Sequence, residues 1–180
     1  AAVVPGDVAE EGTAAGAVAR ALEWGGRLDA VVNNAGVGWR GPTHEMPVEA
    51  WRRLMDVNVT AVFLFTRAAL PHMLAAGRGH IVNISSGAGR VGTVNIAAYC
   101  ASKFALDGFS QAVGAEVRAS GVKVTLIEPG EVHTTFSVRT AQADWGLQPA
   151  DIARTVREVL ATGPNVWPRQ AFVTPLFRGS

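Results

Sequence analysis

With Cys100 as its only cysteine among 180 residues, the chain cannot form an intramolecular disulfide. No group of Cys and His has the spacing of zinc ligands, so no metal is expected. Neither sign of charge is in excess, since sixteen Lys and Arg against fifteen Asp and Glu leave a net charge of +1. A chain-wide basic field that could hold nucleic acid or an anionic membrane is therefore absent. The five Trp are dispersed and form no stacking platform for bases. Long hydrophobic runs are missing too: the longest candidate, residues 61–70, is interrupted by Thr66 and Arg67 and falls short of a membrane span. There is no initiating Met and no basic leader. A sequence opening on Ala1-Ala2-Val3-Val4 is expected to start partway into a fold, and the thiol usage points to a reducing cytoplasm.

Apolar residues and glycine are plentiful. Hydrophobic residues make up 48% of the sequence, charged residues 17%, and there are 20 Gly, enough to build the core of one domain across residues 1–180. Short runs rich in Val, Ile and Leu recur at residues 1–4, 28–32, 80–84, 122–127 and 171–174. Helical patterns separate them, at residues 10–24, 48–74 (one or two helices), 98–119 and 149–161. Strands alternating with helices predict an α/β fold with a parallel sheet flanked by helices. Along 98–119, Phe104, Leu106, Phe109, Val113 and Val117 fall near one apolar face. No repeat, linker or low-complexity tract suggests a boundary.

The chemistry concentrates at the predicted carboxyl ends of strands, where open parallel sheets bind ligands. Asn33-Asn34-Ala35-Gly36 follows the run at 28–32; by itself it is equally an ordinary turn. A stronger constellation follows the run at 80–84, where Ser86 stands thirteen residues before Tyr99, and Lys103 four residues after it. Positions four apart share a helix face, which sets the Lys103 ammonium beside the Tyr99 phenol. A free phenol has a pKa near 10, and a neighbouring cation is expected to lower it, so the pair can move protons. Ser86 could donate to a carbonyl or alkoxide oxygen while Tyr99 exchanges the proton. Taken singly, each residue has a bland account as a surface helix residue, a solvated charge or a strand-end cap. It is the joint spacing that points to catalysis.

Several other features carry less. Gly87-Ala88-Gly89-Arg90-Val91-Gly92 fits Gly-x-Gly-x-x-Gly after a strand, but the helix it should open begins only near residue 97. The segment reads instead as a wall of the substrate cleft. Ser110 in Gly108-Phe109-Ser110-Gln111-Ala112 lies inside a predicted helix, which argues against a hydrolase nucleophile elbow. His44, His72 and His80 read as surface or packing residues, and His133 stands beside a loop of interest. Cys100 points about 100° from Tyr99 on a helix and is expected to be buried.

Taken in order, Asn33-Asn34-Ala35-Gly36, Asn58 within Met55-Asp56-Val57-Asn58-Val59, Ile84-Ser85-Ser86, Tyr99-Cys100-Ala101-Ser102-Lys103 and Pro129-Gly130-Glu131-Val132-His133-Thr134 resemble the short-chain dehydrogenase/reductase family. The resemblance covers nearly the whole chain from Asp7 to Pro175. It implies a Rossmann-like sheet and hydride transfer between NAD or NADP and a small-molecule carbonyl or alcohol, with Tyr99 as acid/base. It further implies that Ser86 positions the substrate oxygen, Lys103 holds the ribose and lowers the Tyr99 pKa, and Asn58 anchors a water in a proton relay. Ser85 resembles the first, non-catalytic serine of the pair. Asp7 and Val8 would contact adenine, Asn33, Asn34, Ala35 and Gly36 would brace the cofactor, and Pro129, Gly130, Val132 and Thr134 would face the nicotinamide. A homodimer or homotetramer built on the helices at 48–74 and 98–119, with their Phe63, Phe65, Phe104 and Phe109, is expected as well.

The family opens with a strand and a Thr-Gly-x-x-x-Gly-x-Gly loop that holds pyrophosphate on backbone amides, and neither is in this sequence. In the family's strand order, 3-2-1-4-5-6-7, the first two strands lie between those that here would be 1–4 and 28–32. The chain is therefore expected to lack two strands and a helix, to leave an open edge at 28–32, and to hold a dinucleotide poorly on its own. A non-catalytic remnant of such an enzyme is the alternative reading. A sugar-nucleotide epimerase, which shares Tyr-x-x-x-Lys, is a lesser one. Substrate identity and the choice of NAD or NADP are not legible, since the residue that would discriminate the ribose 2′ position normally ends a strand missing here.

Overall fold

The computed structural model describes residues 1–134, 136 and 146–176. Its elements are α1 (Glu11–Gly25), β1 (Ala30–Asn33), α2 (Val48–Met55), α3 (Ala61–Ala76), β2 (Gly79–Ile84), α4 (Ala97–Val117), β3 (Val122–Pro129), α5 (Pro149–Leu160) and β4 (Gln170–Val173). All four strands run parallel in the order β1-β2-β3-β4. A helix crosses between each consecutive pair, the connection that parallel strands require.

Successive residues of a strand face opposite sides of the sheet, and the sheet is apolar on both. On one side Ile81, Val122 and Val124 pack with Val18 of α1, Ala69 and Met73 of α3, and Val113 and Val117 of α4. On the other side Val82 and Ile127 pack with Val159 of α5, joined by Ile84, Ile152 and Val156. β2 and β3 are thus covered on both faces, which suits strands with few polar residues.

Residues 1–4 form no strand and are exposed, contrary to the expectation. A strand needs a hydrogen-bonding neighbour, and the described sheet offers this segment none. β1 is an edge strand with Val32 facing outward, as expected for residues 28–32. Phe104 also departs from its predicted face, being 47% exposed while Leu106, Val113 and Val117 are buried.

Residues 48–76 form one continuous helical run, wound more loosely at Asp56–Thr60, where a π-helical turn joins α2 to α3. By length and composition this run could cross a membrane. Here its Val62, Ala69 and Met73 are spent in the core. The π turn carries Asn58 inward to complete burial, and such turns recur at functional sites. Gly121 ends the turn after α4 at φ +75°, and a Cβ there would strike the Gly77 carbonyl at the end of α3.

Candidate active site

The carboxyl ends of β1, β2 and β3 open into one cavity of about 1120 Å³. Asn34, Ala35 and Gly36 line it from the loop after β1. Ser85 and Ser86 enter from the end of β2, Tyr99 and Lys103 from the first turns of α4, and Pro129, Gly130, Val132 and Thr134 from the end of β3 and the loop beyond it. Eleven residues named from sequence, scattered over a hundred positions, therefore share one space.

Within it, the Ser86 side chain acts on the Tyr99 phenol as a hydrogen-bonding neighbour that lowers it. The Lys103 Nζ stands 5.5 Å from the centre of the Tyr99 ring and donates to the Ile84 carbonyl at 2.8 Å. Lys103 is 5% exposed, and burial pulls its ammonium down to about 8, with the Asp107 carboxyl opposing that shift. The Tyr99 phenol does not follow the expectation that it would be lowered. Burial pushes it above its ordinary value, and the hydrogen bond with Ser86 only partly offsets this. The physical reason is that desolvation penalises the phenolate, while the ammonium that should favour it is itself desolvated and committed to a carbonyl.

Asn58 does not face the cavity. Its Nδ2 donates to the Val37 carbonyl at 2.9 Å and to the Ser102 hydroxyl at 3.0 Å, and its Oδ1 accepts from the Val37 amide at 2.8 Å. The Asn58 side chain thus braces the loop after β1 against α4. Asn33 is likewise a brace, donating to Asn83 Oδ1 at 2.8 Å. Asp7 and Val8 lie outside the cavity lining. The Asp7 carboxylate caps the Ala9 amide and pairs with Arg53 at 2.6 Å, which holds it below the usual range.

Trp39, Arg40 and Ile96, which the sequence reading gave no role, also line the cavity, as does Phe136. Phe136 lies 5.5 Å from the Tyr99 ring and so close to Gly38 that a Cβ there would meet its ring at 2.9 Å. The family resemblance implies a lid over residues 136–148, which fall largely outside the described residues. His133 does not line the cavity; a Cβ on Gly146 would meet its imidazole at 2.6 Å. Gly87–Gly89 form a short turn and Gly87 and Ala88 line the cavity, while α4 begins only at Ala97, so no helix N-terminus faces the glycines. Cys100 is buried, its Sγ accepting from the Thr93 amide at 3.4 Å.

The model of the short chain dehydrogenase family matches residues 1–145. The chain is 39% identical over 142 residues to Dehydrogenase/reductase SDR family member 7B of Mus musculus, an alignment covering 79% of this chain and 44% of that protein. It is 44% identical over 132 residues to Inactive 2-(S)-hydroxypropyl-CoM dehydrogenase 2 of Xanthobacter autotrophicus, covering 73% and 57%. A solved metagenomic short-chain oxidoreductase in complex with NADP superimposes with a TM-score of 0.82 at 37% identity, over 96% of this chain and 72% of that one. The chain spans about half the length of the two named relatives.

Proposed function

The chain belongs to the short chain dehydrogenase family, and we propose that it carries the proton-transfer half of an NAD- or NADP-dependent oxidoreductase acting on a small-molecule carbonyl or alcohol. The observation that carries this reading is the convergence of Ser86, Tyr99 and buried Lys103, whose Nζ stands 5.5 Å from the Tyr99 ring, in a cavity shared with Asn34–Gly36 and the Pro129–Thr134 loop. That cavity suits the nicotinamide half of a dinucleotide. Asn34, Ala35 and Gly36 would brace it, Lys103 would hold its ribose, and Pro129, Gly130, Val132 and Thr134 would face its ring. When bound, the nicotinamide supplies or accepts the hydride.

The residues of this chain handle the proton. A phenol kept protonated by burial is set to donate to a carbonyl oxygen, which favours Tyr99 as the acid of a reduction. Ser86 can turn its hydroxyl from Tyr99 to the same oxygen and stabilise charge that develops there. Trp39, Ile96 and Phe136 offer an apolar wall to the substrate side of the cavity.

We further read the assembly as a homodimer or homotetramer in the cytoplasm, with neither nucleic acid nor membrane as partner. In support, Phe63 and Phe104 are 45% and 47% exposed on α3 and α4, an apolar surface suited to a second copy. A non-catalytic role is the second reading. It is supported by the 44% identity to a relative whose name marks it inactive and by the distance of Gly87–Gly92 from any helix N-terminus.

The test is turnover of a panel of ketones and secondary alcohols with each dinucleotide by the complete protein. Tyr99→Phe is expected to cost 10²–10⁴-fold in kcat, the usual contribution of general acid/base catalysis, with dinucleotide affinity little changed. A variant keeping more than about a tenth of the turnover removes Tyr99 from the proton-transfer role.

A further inference from the structure

Behind Ser86 and Tyr99 lie two buried carboxyls, Asp107 and Glu128, that proton transfer does not use, the second paired with a half-exposed Arg90. Three consecutive residues at the end of β2 are each gripped by α4. Asn83 donates to Ser110 at 2.8 Å, the Ile84 carbonyl accepts from Lys103 at 2.8 Å, and Ser85 donates to Asp107 at 2.5 Å. Lys103 and Asp107 are one helical turn apart, so the face of α4 that presents Tyr99 also fastens the residue before Ser86. Gly89, three residues beyond Ser86, presses on the other Asp107 oxygen, where a Cβ would come within 2.8 Å.

Asp107 also adjoins Glu128, the penultimate residue of β3, whose carboxyl acts on it as a charge and a hydrogen-bonding neighbour. Glu128 is fully buried and takes both arms of the Arg90 guanidinium, at 2.6 and 2.7 Å, while Arg90 lies 5.5 Å over the Phe172 ring of β4. The five-residue stretch Ser86–Arg90 is therefore clamped at both ends. Ser85 ties it to α4, and Arg90 ties it to β3 immediately before Pro129 and Gly130.

Two contacting buried carboxyls facing one guanidinium cannot both ionise cheaply. The charged and titratable groups around Asp107 are Lys103 on its own helix, Arg90 after β2 and Glu128 on β3, with the Ser85 hydroxyl against it. We propose that Asp107 is a positioning residue whose protonated carboxyl donates to the Arg90-paired Glu128 carboxylate and accepts from Ser85, holding Ser86 at the Tyr99 phenol. Burial raises the Asp107 carboxyl above the usual carboxylate range, the Ser85 hydrogen bond opposes this, and the Glu128 charge adds to it. Asp107, Glu128 and Arg90 together carry one negative and one positive charge, with the Lys103 ammonium beside them, and join the three segments that build the site.

This rests on the proposed function for its catalytic consequence, but its structural core can be read without turnover. Tyr99 is the only tyrosine in the sequence, so ultraviolet titration reports its phenol alone. Because the Ser86 hydrogen bond lowers that phenol, Asp107→Leu is expected to move its titration to higher pH. Asp107→Asn, which can still accept from Ser85 and donate to Glu128, is expected to leave it in place. In the active enzyme Asp107→Leu should lower kcat on the order of a hundredfold, the scale of an ångström of misplacement, with little change in the dinucleotide KM. Asp107→Asn should restore most of the loss.

If Asp107→Asn moves the phenol titration as far as Asp107→Leu, the neutral, shared-proton form is wrong. If neither variant moves it while both remain folded by circular dichroism, Asp107 does not position Ser86. Should Asp107→Leu fail to fold, the Asn variant alone decides, its unchanged titration supporting the proposal and a shifted one overturning it. Absence of turnover in the unsubstituted protein would count against the proposed function and leave the titration result standing.

Discussion

Lys103 reaches from α4 to the carbonyl of Ile84, the last residue of β2, and donates to it at 2.8 Å. One side chain thus joins the helix that presents Tyr99 to the strand that presents Ser86. The bond places a cation in a nearly water-free setting, which costs solvation, and the consequence is legible in its acidity, pulled down to about 8 by burial.

A stability cost follows, with a definite pH window. The folded protein sheds the Lys103 proton near pH 8, whereas the unfolded chain keeps it to about 10.5. Between those values the unfolded state binds more protons, so stability rises with pH; below about 8 the penalty is present in full. Lys103→Met should therefore stabilise the fold at pH 7 by at most on the order of 3 kcal/mol, less the lost hydrogen bond. That gain should shrink towards zero as pH approaches 10.5. Urea unfolding at pH 7 and pH 10 checks it, and a gain equal at both would show that the ammonium is not the source.

His80 makes the same demand in a lower pH window. Its Nε2 lies 2.8 Å from the Thr125 hydroxyl, which itself donates to the Pro168 carbonyl at 2.5 Å, so the ring nitrogen is the donor. Burial, helped by Lys123, pulls its pKa down to about 4. As pH falls below 6.5 the unfolded chain gains a proton that the folded one refuses. Stability should drop by roughly 3 kcal/mol across the window from 6.5 to 4. His80→Gln should flatten that part of the profile in chemical unfolding measured at pH 7, 5.5 and 4.5.

The exposed Phe63 and Phe104 carry the expectation of assembly. Phe63→Glu combined with Phe104→Glu should convert an oligomer to monomer in light scattering and leave the melting of the isolated fold nearly unchanged, since neither ring is buried. A parent protein that is already monomeric when dilute would remove the basis for this expectation.

Gly121 tests the packing of helix ends. Its left-handed backbone and its contact with the Gly77 carbonyl leave no room for a side chain. Gly121→Ala should cost at least about 1 kcal/mol, seen as a lower melting temperature with the parallel sheet retained.

Periodicity and spacing made the α/β order legible, because strands covered on both faces and helices ended by Gly26, Gly77 and Gly121 leave local marks in a sequence. The same holds for Ser86, Tyr99 and Lys103, whose relation is set by a helical turn and a strand end. Where a segment depends on a neighbour, the sequence is mute. Residues 1–4 have the composition of a strand and form none, because pairing is not a property of the segment itself.

Tertiary structure alone decided the rest. Nothing in the letters around Asn58 announces its partners, yet the π turn rotates it inward to hold Val37 and Ser102. The direction of the Tyr99 shift depended on how much water the folded chain removes, which no spacing rule contains. Asp107, Glu128 and Arg90 are separated by up to 38 positions and carry no motif. Only the convergence of α4, β3 and the loop after β2 puts two carboxyls and one guanidinium into contact, and the low polarity of that interior makes their shared proton matter.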